Sequence, residues 1–104
     1  HLPVSKLEVR TQDVFAAIPQ LLTAGQRFDL ILADPPYGEK NVGHRATSFA
    51  QKLLDDENLP KLIVPGGRFA LGHAQRETLE VPTWWQEVKQ LKHGDSIMRF
   101  LETQ

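Results

Sequence analysis

"FDLILADPPYG", residues Phe28 to Gly38, decides how this chain folds. Phe28, Leu30, Ile31, Leu32 and Ala33 form a nearly continuous apolar run that only Asp29 interrupts. A run without alternation reads as a strand buried on both faces, as in a parallel sheet. It ends on Asp34 and two prolines. Pro35 and Pro36 each fix φ at about −65° and carry no N–H. The residue before each proline is pushed into the extended region. Asp34 and Pro35 are therefore held extended, with their carbonyls fixed in direction. Tyr37 adds a flat ring, and Gly38 lets the chain turn away.

Working outward, "KLEVR" at Lys6 to Arg10 reads as a short strand with Leu7 and Val9 on one face. Val14, Ile18, Leu21 and Leu22 recur at helical spacing after Asp13, with Phe15 widening the stripe and Gly25 placed to stop the helix. Pro19 predicts a break or kink inside that helix. Beyond the polar loop Gly38 to Arg45, Phe49, Leu53 and Leu54 predict a second helix within "ATSFAQKLLDDENL". A short apolar turn, a Pro65-Gly66-Gly67 loop and a strand from Arg68 to Gly72 follow. The pattern from Arg76 to Trp85 is weak and is read as holding a short helix. Trp85 to Lys92 and Ser96 to Glu102 then form a hairpin hinged at His93-Gly94-Asp95. Strands alternating with helices predict an α/β fold with a parallel sheet, closed by an antiparallel hairpin into a mixed sheet.

The bulk numbers fit one domain spanning residues 1–104, with 40% hydrophobic and 24% charged residues. The formal net charge is −1 and there is no basic block, so charge alone makes no case for nucleic-acid binding. There are no cysteines, which excludes disulfides and thiolate metal sites. His44, His73 and His93 lack metal-ligand spacing, and no metal is expected. No apolar run is long enough to span a membrane and no signal peptide is visible, so a bacterial-type cytoplasm is the expected location. The chain begins at His1, almost directly on a strand, as a piece of something longer would.

In an open parallel sheet, ligands bind outside the carboxyl ends of the strands, which is where Asp34 stands. Two prolines remove donors and leave acceptors: the Asp34 carboxylate and the Pro35 carbonyl. Such a corner wants two N–H bonds on a planar ring, as in the exocyclic amino group of a nucleobase. Both amino protons held by acceptors would turn the nitrogen lone pair out of conjugation and sharpen it as a nucleophile. Tyr37 would stack on the base, worth about 1–3 kcal/mol. A paired base cannot reach such a corner, so it must be unpaired or flipped out. Asp-Pro-Pro also serves as an ordinary turn. The loop carrying Lys40, His44 and Arg45 reads either as a substrate-side loop touching phosphates or as a solvated one.

"DPPY" resembles the motif of amino-directed, S-adenosylmethionine-dependent methyltransferases, Asp/Asn/Ser-Pro-Pro-Tyr/Phe/Trp. "FDLILADPPYG" and "KHGDSIMRFLE" together resemble the RsmD-like family of small-subunit ribosomal RNA guanine-N2 methyltransferases, over Lys6 to Glu102. The resemblance implies a Rossmann-like class I methyltransferase fold, S-adenosyl-L-methionine as cofactor, and ribosomal RNA or the small ribosomal subunit as partner. It implies that Asp34, Pro35, Pro36 and Tyr37 form the catalytic corner. Gly38, Lys40, His44 and Arg45 would join Tyr37 on the substrate side. Asp13, with Val14 beside it, matches the acidic residue that contacts the cofactor's adenine amino group; Asp13 also reads as a plain helix cap. The alternatives are a DNA or protein-glutamine amino-methyltransferase, or a non-catalytic binding or dimerisation module.

Two departures from the family pattern stand out. The glycine-rich loop and the ribose-binding acid of the family's N-terminal half do not occur, since the only glycine pair, Gly66-Gly67, precedes a strand late in the chain. The cofactor half is expected to be missing, and the chain alone is expected to bind S-adenosylmethionine weakly or not at all and to be inactive. Loss of that half is also expected to bare the edge of the Phe28–Ala33 strand and drive self-association. The second departure is His73, which stands where relatives often carry a glutamate.

Overall fold

The computed structural model describes residues 5–9, 14–33, 49–75 and 77–103. They form a five-stranded mixed sheet in the order β1-β2-β3-β5-β4. Its strands are β1 (Lys6–Val9), β2 (Phe28–Ala33), β3 (Ile63–Ala74), β4 (Trp85–His93) and β5 (Ser96–Thr103). Helix α1 (Val14–Thr23) connects β1 to β2, and α2 (Phe49–Asp55) with a 3-10 turn (Leu59–Leu62) precedes β3. Strands β1, β2 and β3 are parallel neighbours, while β5 runs antiparallel to both β3 and β4. This is the expected Rossmann-like α/β plan with a closing hairpin.

Register decides which side chains meet. Val9 pairs with Ala33 and Ala33 with Leu71, so the three parallel strands run level there. Val9, Ile31, Ala33, Phe69, Leu71 and Leu101 point to one face and pack against Val14, Ile18, Ala50, Leu53 and Leu54 of the helices. Phe15 of α1 meets Phe49 of α2 edge to face at 5.6 Å, so the first turns of the two helices touch through these rings. Trp85 closes the layer from β4, its ring 5.0 Å from that of Phe69. The opposite face carries Leu30, Leu32, Met98 and Phe100, all partly buried.

Several local expectations hold for identifiable reasons. Gly25 ends α1 at φ +77°, with Gln26 N–H donating to the Leu21 carbonyl and Gly25 N–H to Leu22, both at 3.0 Å. Those two bonds are the Schellman pattern, which needs the left-handed residue that glycine supplies. Gly94, at φ +62°, turns the β4–β5 hairpin, where His93 faces Ser96. Asp29, the one acid inside the apolar run, ties down the neighbouring strand: its carboxylate accepts the Ser5 N–H at 3.1 Å, and its own N–H donates to the Ser5 carbonyl at 2.9 Å.

Other expectations need correction. Pro19 sits inside α1 without ending it, on the exposed side, and its carbonyl accepts Thr23 Oγ1 at 3.0 Å. Strand β3 starts at Ile63, five residues before the expected Arg68, and absorbs Pro65-Gly66-Gly67 as a bulge. Between the pairs Phe28↔Ile63 and Leu30↔Arg68, β3 spends five residues where β2 spends two. Gly66 makes the bulge at φ +85°, and Gly67 passes so close to β2 that an added Cβ would lie 2.9 Å from the Asp29 carbonyl oxygen. No helix forms among residues 77–84. That segment is tied at Glu80 by the Gln51 side-chain amide, which accepts the Glu80 N–H at 2.9 Å and donates to the Glu80 carbonyl at 2.8 Å. The edge of β2 is not bare either. Lys6–Val9 pairs with Leu30–Ala33, so among the described residues the short, charge-bearing β1 is the edge strand on that side.

Candidate functional site

The site is defined first by topology. Adjacent strands β1 and β2 end together at Val9 and Ala33. Asp34-Pro35-Pro36-Tyr37-Gly38 follows directly on Ala33, and Asp13 directly precedes the first residue of α1. The chain segments that follow β1 and β2 thus begin at the carboxyl ends of parallel strands, where α/β sheets bind ligands. Asp13, Asp34, Pro35, Pro36, Tyr37, Gly38, Lys40, His44 and Arg45 themselves lie outside the described residues. Val14 is described: it opens α1, is buried, and belongs to the core under the helices.

A polar row crosses the helix-covered face at the same end of the sheet. His73 of β3 is 1% exposed, the one buried polar residue among the described core. Arg99 of β5 donates Nε–H to His73 Nε2 at 2.9 Å and its Nη1 to Glu87 Oε1 of β4 at 2.7 Å. Gln90 donates to the second oxygen of Glu87 at 2.5 Å. The Ala74 carbonyl receives His73 Nδ1 at 2.9 Å and the Glu77 N–H at 3.0 Å. Burial pushes the His73 imidazole below its ordinary value, opposed by the Ala74 carbonyl and aided by the Arg99 cation, with Glu77 and Glu87 pulling the other way. Glu77 Oε1 is buried without a hydrogen-bond partner.

The end of α2 is closed by aromatic side chains. Trp84 and Trp85 both donate their indole N–H to the Leu54 carbonyl, each at 3.1 Å. That carbonyl lies in the last turn, where helices leave acceptors without intrahelical partners. Trp85 is in the core and Trp84 at its rim. Asp56 accepts the N–H groups of Asn58 and Leu59 at 2.8 and 3.1 Å and shapes the 3-10 turn. Among the described residues no group of three His, Asp or Glu side chains stands close enough to hold a metal, and no helix is long and apolar enough to cross a membrane.

The model of a family described as conserved hypothetical protein 95 matches residues 1–102. No curated protein matches the chain. Among solved structures, a hypothetical protein of Thermus thermophilus superposes with a TM-score of 0.59 at 20% identity, over 86% of this chain and 44% of that one. An Escherichia coli protein, "putative methyltransferase yhhF", gives 0.48 at 12% identity, over 95% of this chain and 63% of that one. The first likeness supports the fold, and the chain spans less than two thirds of the length of either structure.

Proposed function

The chain belongs to the RsmD-like family, conserved hypothetical protein 95, and from that premise we propose that it is the substrate-binding portion of an S-adenosylmethionine-dependent amino-methyltransferase. The target is the exocyclic amino group of a nucleobase, guanine N2 of small-subunit ribosomal RNA being the reading that the family resemblance favours. The observation that carries the proposal is the position of Asp34-Pro35-Pro36-Tyr37 in the chain: the first residues after β2, whose last residue is level with Val9 of β1 and Leu71 of β3.

Asp34 and the Pro35 carbonyl would accept the two amino protons and leave the nitrogen lone pair free for attack. Tyr37 would hold the base by stacking, and Lys40, His44 and Arg45 would meet phosphates. Positioning is the main demand of such in-line transfer. The residues present fit one end of the cofactor. Asp13 and Val14 would hold its adenine end, the opening of α1 at the close of β1 being the observation that supports this, and Asp34 would border the cofactor where the methyl group meets the base. When bound, the cofactor supplies an electrophilic sulfonium methyl. The sequence of this chain has no glycine-rich turn for the amino-acid end.

The test uses the longest natural polypeptide carrying these residues, labelled methyl donor, and small-subunit ribosomal RNA both free and in assembled subunits. Label should enter an RNA guanine and vanish with Asp34→Ala. Label in protein glutamine or in DNA adenine instead, or transfer unaffected by Asp34→Ala, defeats the proposal.

A further inference from the structure

Arg99 binds a carboxylate on β4, Glu87, but on β3 its partner is a histidine. A guanidinium only donates, so His73 Nε2, 2.9 Å from Arg99 Nε, must carry its lone pair. Nδ1 lies 2.9 Å from the Ala74 carbonyl oxygen, which only accepts, so Nδ1 carries the proton. Both ring nitrogens are committed and the ring is neutral. A second proton would aim N–H against N–H and place two cations in contact at a residue 1% exposed. Three charged groups surround the ring: Arg99 from β5, Glu87 from β4, and Glu77 from the segment after β3. Glu87 is already engaged by Arg99 at 2.7 Å and by Gln90, so it is not free to answer a new charge.

We propose that the His73–Arg99 contact is a proton-operated lock. Neutral His73 ties the end of β3 to β5 and, through Arg99 and Glu87, to β4; protonated His73 lets that row go. The strand end so released is the one beside the candidate site, because His73 follows by two residues the Leu71 that pairs with Ala33. The lock stands on its own hydrogen bonds and does not depend on the methyl-transfer reading.

The direction of its pH response follows from linkage. His73 has a lower proton affinity folded than its ordinary value of 6.5. Between the two values the unfolded chain binds more protons. Stability is complete above about pH 6.5 and is lost as the pH falls through the folded value, the folded-to-unfolded ratio dropping by up to about tenfold per pH unit in that window.

The experiment is a ring-nitrogen NMR titration of the wild-type chain from about pH 8 to about pH 5, paired with urea unfolding across the same range. His73 should show the Nδ1–H tautomer at neutral pH and titrate below 6.5, with stability falling as it takes its proton. His73→Gln, whose side-chain oxygen can accept from Arg99 and takes no proton, should keep the fold and flatten that slope. An Nε2–H tautomer, titration at or above 6.5, or an unchanged slope in His73→Gln would overturn the lock. If the glutamine variant does not fold, the wild-type tautomer and titration decide alone.

Discussion

The bulge in β3 sets the pairing of the two strands whose ends frame the candidate site, and Gly67 is its tightest point. A methyl group there would meet Ile63 Cγ2 at 2.7 Å, the Asp29 carbonyl oxygen at 2.9 Å and the Val64 carbonyl oxygen at 3.0 Å. The Ile63 methyl can rotate away. The Asp29 carbonyl cannot retreat without moving β2, because the Asp29 N–H is itself held to Ser5 at 2.9 Å. Forcing an extra methyl into such packing costs about 1–3 kcal/mol. At a central value of about 2 kcal/mol, and about 4–8 °C per kcal/mol for a domain of this size, Gly67→Ala should lower Tm by roughly 8–16 °C. Gly66→Ala is the control. It meets open space and carries only the left-handed backbone strain at φ +85°, about 1–2 kcal/mol. Thermal melts give the two losses, and amide hydrogen exchange separates them. Gly67→Ala should speed exchange at Leu30 and Ile31, where β2 pairs with β3, and Gly66→Ala should not. A Gly67→Ala protein within about 0.5 kcal/mol of wild type, with those amides unchanged, would refute the close approach.

Further outcomes follow from single contacts. Trp85→Ala removes a core ring and one of the two donors to Leu54; a loss of about 3–5 kcal/mol is expected in urea unfolding, against about 1 kcal/mol for Trp84→Ala, whose ring lies at the rim. Arg68→Ala should change stability by less than about 0.5 kcal/mol, because its 3.2 Å pair with Glu102 is largely solvated. Arg99→Met should be far costlier than Arg68→Ala in the same assay, since it leaves Glu87 and the buried His73 without their shared donor.

Much of the fold was legible because its signals are local. The nearly continuous apolar run at Phe28 to Ala33, Gly25 past the last helical leucine, and Gly94 between two alternating runs each name a conformation that few other sequences allow. The hairpin strands came within one residue of their observed ends, Trp85–His93 and Ser96–Thr103. What failed was non-local. Pro65-Gly66-Gly67 looks like a loop from its composition, and only pairing with β2 on one side and continuation on the other makes it a bulge. Residues 77–84 have no period of their own. Their path is fixed in part by Gln51, which is distant in sequence and offers both halves of an amide pair to Glu80.

The same division separates the parts of the site. Asp34-Pro35-Pro36-Tyr37 declares itself in sequence because prolines constrain backbone without reference to anything else. Arg99 was readable by half. Ile97, Arg99 and Leu101 alternate, so a strand with two inward aliphatic residues turns a cation toward the core as well, and a buried cation demands partners. The hairpin turn alone brings Gln90 opposite Arg99. Glu87 comes within 2.7 Å of Arg99 across a register shift between Glu87 and Lys89, which no turn rule announces. His73 arrives only through the pairing of β3 with β5, across 26 residues of sequence. A histidine in that place turns what a glutamate would make a permanent ion pair into a contact that holds only while the ring is neutral. The residue that stands out as a departure from the family pattern is therefore the position in the row where a buried, neutral ring meets the cation.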